Sequence, residues 1–250
     1  MQPRKTQLWT SIFRVGHRRT DARTRALGVL SNVFLHLHPA RINRDAVRYS
    51  YTWGMGGISF FLFLVLTFTG ALLMFYYHPT KIQAFRDILY LEHDVPFGRL
   101  LRNMHLWAGH LMVITVWLHM FRVVLTGAYK KPREFNWVVG VTLLVLTLLL
   151  SFTGYLLPDD QLGFWAVTVA TNMAGAAPLA GDQLRFALLG GSSVDANALL
   201  RAYVWHCIGI PLLAIVFLVV HFWRVRKDGG ISGPARVILE AELEPARPAR

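Results

Sequence analysis

A single cysteine, Cys207, stands in the whole chain. That excludes an internal disulfide framework, a Cys-ligated iron–sulfur cluster and a Cys-rich zinc site. Charge is scarce as well: 16% of the 250 residues are Asp, Glu, Lys or Arg, where a soluble domain carries about 25%. Acids are the scarcer sign, 14 against 26 Lys and Arg, for a net charge of +12. Taken alone, that excess suggests nucleic acid. Its distribution does not, because ten of the basic residues lie in the first fifty positions and most of the others flank apolar runs. No nucleic-acid partner is expected. With 54% hydrophobic residues and a mean hydropathy of +0.40, the composition is that of an integral membrane protein.

Four stretches approach or exceed the roughly 20 residues that cross a bilayer as a helix: Gly54–Tyr77, His105–Leu125, Trp137–Leu157 and Ala202–Trp223. The first and third contain no charged residue. An all-α, four-helix transmembrane bundle over residues 51–228 is therefore expected, followed by a weakly ordered tail at 229–250. Residues 1–50 have no signal-peptide core. There Arg14, Arg18, Arg19, Arg23 and Arg25 alternate with Ile12, Phe13, Val15, Leu27, Val29 and Leu30, the pattern of an amphipathic helix on anionic lipid. Lys130, Lys131 and Arg133 between the second and third stretches, and Arg224, Arg226 and Lys227 after the fourth, contrast with Asp87, Glu92, Asp94, Asp159, Asp160, Asp182 and Asp195 in the other two connections. The positive-inside rule puts both termini on the cytoplasmic (negative) side of an inner or energy-transducing membrane. The connection of about 45 residues before the fourth stretch reads as a long loop, functional or packed on a surface.

Histidines are what the spans carry in place of charge. His105 and His119 lie fourteen residues apart in the second stretch, and His206 and His221 fifteen apart in the fourth. At about 100° per residue, fourteen steps return to within roughly 40° of the starting face and fifteen to within about 60°. Both stretches run from outside to inside, so His105 shares its depth with His206, and His119 with His221. Two imidazoles at each of two levels suit bis-histidine haem iron and not zinc, which takes about four protein ligands. His110, five residues from His105, points elsewhere and reads as structural. Gly56 and Gly70, and likewise Gly140 and Gly154, repeat the fourteen-residue interval on the stretches that supply no ligand, where a missing Cβ leaves room for a porphyrin. Arg102, Arg122, Arg226 and Lys227 lie at helix ends near the two levels and can pair with haem propionates.

These residues sit within longer motifs: Gly56–Gly57–Ile58, Phe75–Tyr76–Tyr77, His119–Met120–Phe121–Arg122–Val123, Leu125–Thr126–Gly127 and Lys130–Lys131–Pro132–Arg133–Glu134. Further along are Thr153–Gly154–Tyr155–Leu156–Leu157–Pro158, Phe164–Trp165–Ala166–Val167 and Ile231–Ser232–Gly233–Pro234. From about residue 45 to 235 the chain resembles the N-terminal four-helix part of cytochrome b of the bc complexes, most closely the b6 type. The resemblance implies that His105 and His206 ligate a positive-side b haem, and His119 and His221 a negative-side one. It further implies quinol oxidation on the positive side, lined in part by Trp165, Ala166, Val169 and Ala170, and quinone reduction on the negative side. The implied partners are a subunit IV-like chain with the remaining cytochrome b helices, a Rieske iron–sulfur protein, a c-type cytochrome and a second copy of the whole complex, in a respiratory or photosynthetic chain. In b6 a cysteine near the start of the first span attaches a further haem covalently. Here the neighbourhood reads Tyr51–Thr52–Trp53–Gly54–Met55–Gly56, so no covalent third haem is expected. Asp159 replaces the family's usual aromatic residue after Pro158, and Ala170–Thr171–Asn172 and Ala177–Pro178 look more like the bc branch. Two other readings stay open: a di-haem b anchor for a dehydrogenase or hydrogenase, and a haem-free transporter or scaffold whose histidines only bridge helices.

Overall fold

A computed structural model describes residues 46, 48–228 and 230–232; the expected surface helix in residues 1–50 and the tail fall almost wholly outside these. Every regular element among the described residues is helical. The order is α1 (Tyr49–Thr52), α2 (Met55–Leu73), α3 (Ala84–His93), α4 (Gly98–Leu125), α5 (Glu134–Leu156), α6 (Gln161–Gly175), α7 (Gly181–Leu189), α8 (Ala196–Val204), a π turn (Trp205–Gly209) and α9 (Ile210–Lys227). Among the described residues, four helices are long and apolar enough to cross a membrane: α2, α4, α5 and the continuous run from α8 to α9.

The spans differ from their sequence-based limits for local reasons. The first ends at Leu73, four residues before Tyr77, in a series of turns. The second begins at Gly98, seven residues before His105, because polar residues such as Arg99, Arg102 and Asn103 continue the helix beyond the apolar window. The fourth runs from Ala196 to Lys227. Asp195 caps its start by accepting from the Asn197 amide at 2.9 Å. The basic residues Arg224, Arg226 and Lys227 occupy the last turn, where the helix dipole favours them.

The connection read as a long loop is instead helical. Asp160 accepts from the Gly163 amide at 2.7 Å and caps α6, and α7 packs back against α6. At 15 and 9 residues, α6 and α7 fall short of the roughly 20 that a search for membrane spans looks for. At the same end of the bundle Lys81 pairs with Asp159 at 2.5 Å, and the Tyr77 hydroxyl donates to the Leu157 carbonyl at 2.5 Å. These contacts tie the α2–α3 connection to the start of the α5–α6 turn.

Helix α2 packs on α4, α5 on α9, and α4 on α5. Between the two histidine levels lies an apolar waist of Leu62, Phe63, Ala108, Met112, Leu146, Ile210 and Ala214. One hydrogen bond crosses nearby, from Ser59 Oγ to Thr115 Oγ1 at 3.0 Å. Outward-facing residues such as Phe61, Phe68, Val138 and Val219 are more than half exposed, as lipid-facing side chains are in a protein that spans a bilayer.

The close junction of α3 with α4 depends on Gly98, where an added Cβ would run into the Leu91 backbone carbonyl and lie 3.0 Å from the Val95 Cβ. Gly57 on α2 has open space beside it. Gly98→Ala is therefore expected to cost about 1–3 kcal/mol through overpacking. It should lower the thermal unfolding midpoint of the detergent-purified protein, while Gly57→Ala leaves it near the parent value.

Candidate functional site

The histidines meet in pairs across the bundle. The rings of His105 and His206 have centroids 6.2 Å apart and planes crossed at 77°. Those of His119 and His221 are 6.5 Å apart and crossed at 79°. Along α4, the fourteen residues between the levels amount to about 21 Å at 1.5 Å per residue.

Two donors at each level are what the structure offers: among the described residues no group of three or more His, Cys, Asp or Glu could hold a metal ion. A tetrahedral zinc site does not fit. A porphyrin-bound iron needs only two axial donors. Two metal–nitrogen bonds of about 2 Å each, with the half-width of a ring on either side, account for separations of this size. The site residues thus fit a bis-histidine haem at each level.

The four glycines stand against the four imidazoles, one each. A Cβ on Gly70 would lie 3.1 Å from His105 Cε1, and one on Gly56 3.3 Å from His119 Cε1. On Gly154 it would lie 2.6 Å from His206 Cε1, and on Gly140 3.8 Å from His221 Cε1. The nearest protein atoms beside Gly56, Gly70 and Gly154 belong to an imidazole edge, while at Gly140 Met120 Sδ at 3.6 Å lies slightly nearer than the His221 ring. The equal intervals follow, since a glycine on the flanking helix has to keep level with the ring beside it.

Hydrogen bonds orient two of the rings. His206 Nδ1 lies 3.0 Å from the Leu150 carbonyl, which can only accept, so Nδ1 carries the proton and Nε2 keeps its lone pair. His105 Nδ1 lies 2.9 Å from the Thr69 hydroxyl, whose own proton goes to the Val65 carbonyl at 2.7 Å. That network assigns the His105 proton to Nδ1 as well.

Below the lower pair is a cavity of about 130 Å³ lined by His119, Arg122, Asn136, Gly140, His221 and Ser232 among others. Buried polar atoms without a hydrogen-bond partner among the described residues surround it: Arg122 Nε and Nη2, Asn136 Oδ1 and His221 Nδ1. The Arg122 guanidinium also covers the Tyr51 ring at 4.6 Å. Of the other basic residues singled out from the sequence, Arg102 is paired with Glu92, Lys227 Nζ lies over the Trp223 ring at 5.0 Å, and Arg226 occupies the last turn of α9. Trp165, Ala166, Val169 and Ala170 lie together on α6, with Trp165 and Val169 more than half exposed. His110 is separate from both pairs, its Nδ1 bonded to the Leu106 carbonyl at 2.8 Å. Sequence reasoning missed Asn136, Thr69, Thr153 and the Leu150 carbonyl. The two threonines had a visible signal, since each directly precedes a glycine of the repeated interval.

Residues 44–229 match the sequence profile of the family described as Cytochrome b/b6/petB. Over 180 residues, 72% of this chain, the protein is 47% identical to cytochrome b6 of Porphyra purpurea, covering 83% of that relative. Over the same length it is 46% identical to cytochrome b6 of Heliomicrobium gestii, covering 84%. Among solved structures it is similar to a chain of "Hyperthermophilic respiratory Complex III", with a TM-score of 0.70 and 26% identity over 92% of this chain. It spans 57% of the length of that chain. With a profile match that begins ahead of α1 and runs past the end of α9, this multi-pass integral membrane protein belongs to the cytochrome b/b6 family.

Proposed function

We propose that the chain is the di-haem cytochrome b subunit of a bc- or b6f-type quinol oxidoreductase, moving electrons from quinol on the positive side of the membrane to quinone on the negative side with coupled proton translocation. The observation that carries this reading is the imidazole pair repeated at two depths, with ring separations of 6.2 Å and 6.5 Å and crossing angles of 77° and 79°. Non-covalent b-type haems, held by His105 with His206 and by His119 with His221, would supply the one-electron redox chemistry at the two levels.

The protein's own residues do the holding, orienting and shielding. Leu62, Phe63, Met112, Leu146 and Ile210 keep water out of the space between the levels. Arg122, buried with two unpaired N–H groups at the lower cavity, offers charge-assisted donors to a propionate, with Arg226 and Lys227 close to the same end of the bundle. Arg102 serves the upper level while its charge is balanced by Glu92. The α6 face of Trp165, Ala166, Val169 and Ala170 forms part of the quinol site, at the end of the bundle that also carries Asp159, Asp160 and Asp195. Arg122, Lys130, Lys131, Arg133, Arg224, Arg226 and Lys227 gather at the opposite end of the spans, which supports placing that end on the negative side. Protons are then taken up at the basic end and released at the acidic one. The same reading assigns the chain a subunit IV-like partner, a Rieske iron–sulfur protein, a c-type cytochrome or similar acceptor, and a dimeric complex.

A pyridine haemochrome assay before and after acid–acetone extraction tests this directly. Two extractable b haems per chain, with none left covalently bound, are expected; a complex without haem overturns the reading. His119→Leu should remove the negative-side haem and halve the haem content, and a spectrum that keeps both b signals would sink the pairing. Gly154→Val tests the upper level by another route. Its Cβ, fixed to the backbone 2.6 Å from His206 Cε1, must turn the ring away, so the positive-side haem signal is expected to be lost while the negative-side signal persists.

A further inference from the structure

The four glycines beside the imidazoles differ in the residue that precedes them, and the difference follows depth. At the upper level the dipeptides are Thr69–Gly70 and Thr153–Gly154; at the lower level they are Met55–Gly56 and Val139–Gly140. Glycine lets the ring approach in all four cases, but only at the upper level does a hydroxyl arrive with it.

Thr69 is 1% exposed. Its hydroxyl donates to the Val65 carbonyl at 2.7 Å and accepts from His105 Nδ1–H at 2.9 Å. Across the pair, His206 Nδ1–H donates to the Leu150 carbonyl at 3.0 Å, with Thr153 Oγ1 at 3.3 Å as a second acceptor. The Thr153 proton is directed to the Leu149 carbonyl at 2.8 Å, which leaves its oxygen free to accept. The lower level lacks this arrangement. Neither Met55 nor Val139 has a hydroxyl, and His221 Nδ1 is buried without a hydrogen-bond partner among the described residues.

An imidazole that donates its second N–H to an acceptor is held in one orientation and becomes a more basic metal ligand. The more basic ligand favours the more positively charged, oxidised iron and lowers the reduction potential. We propose that Thr69 is a positioning residue for the positive-side haem, acting through His105, with Thr153 and the Leu150 carbonyl in the matching place behind His206. The Thr69 hydroxyl behind His105, and the Leu150 carbonyl with Thr153 behind His206, make the upper imidazoles stronger donors than the lower ones and bias the positive-side haem toward the lower potential. The inference rests on the di-haem reading above.

Redox titration of the haem absorption bands in the purified complex tests it, comparing the parent with Thr69→Val, which keeps the shape and removes the hydroxyl, and Thr69→Ser, which keeps the hydroxyl. Thr69→Val is expected to favour reduction of the positive-side haem by about tenfold, equivalent to about 59 mV for one electron, and to leave the negative-side haem unmoved. Thr69→Ser should titrate with the parent. The reverse substitution, Val139→Thr, places a hydroxyl ahead of Gly140 on the His221 side and is expected to lower the negative-side potential. It keeps the inference falsifiable if Thr69→Val assembles without its upper haem. A Thr69→Val complex in which both haems keep the parent potentials, or in which both shift equally, overturns the inference and leaves the His105–His206 pairing standing. An unmoved Val139→Thr complex also overturns it. A parent complex that contains no b haem overturns this inference and the di-haem reading together.

Discussion

The contact between a glycine backbone on one helix and an imidazole on the next is what the bundle is arranged around. A side chain at Gly154 would meet His206 at 2.6 Å, and one at Gly70 would meet His105 at 3.1 Å, so neither ring could keep its place beside a larger residue. Inside a bilayer the usual reason for helices to associate is weak, because lipid tails are as apolar as leucine. Close packing of small residues and hydrogen bonds between helices have to supply what burial from water does not. The glycines serve both needs: they shorten the distance from α2 to α4 and from α5 to α9, and they leave the imidazoles aimed at one another across the bundle. An unoccupied imidazole lone pair in apolar surroundings is costly. On the di-haem proposal, ligation at these positions would also hold the helices together, in the way that metal binding contributes folding free energy elsewhere.

Much of this was legible in the residues. The four spans followed from long apolar runs, and the histidine pairs from their intervals and the shared direction of their helices. The repeated glycine interval was visible too, but its neighbour was not, because spacing gives a level and not the identity of the atom across the gap. The connection before α8 was misread as a loop. Its helices α6 and α7 are shorter than a membrane span, and the evidence for α6 lay in the capping residue Asp160, a signal that counts only once a helix is suspected. The pairing of Arg102 with Glu92 depends on α3 folding back against α4, and no periodicity within either segment encodes that.

One numerical mismatch in the sequence finds its cause in the fold. The paired histidines on α4 are fourteen residues apart and those on the fourth span fifteen, a difference of about 100° on a regular helix. Yet the two pairs have ring separations within 0.3 Å and crossing angles within 2° of each other. The fourth span is not regular: Trp205–Gly209 forms a π turn, closed by the Ile210 amide bonding to the Trp205 carbonyl. Such a turn accommodates an extra residue. Pro211 gives a reason for its place, since proline has no N–H to offer the Cys207 carbonyl one turn back and its ring crowds that carbonyl. Because His206 lies within the turn, the extra residue of the interval is taken up at the histidine itself. The longer spacing and the proline are two parts of one arrangement, which brings His206 level with His105 while His221 stays opposite His119.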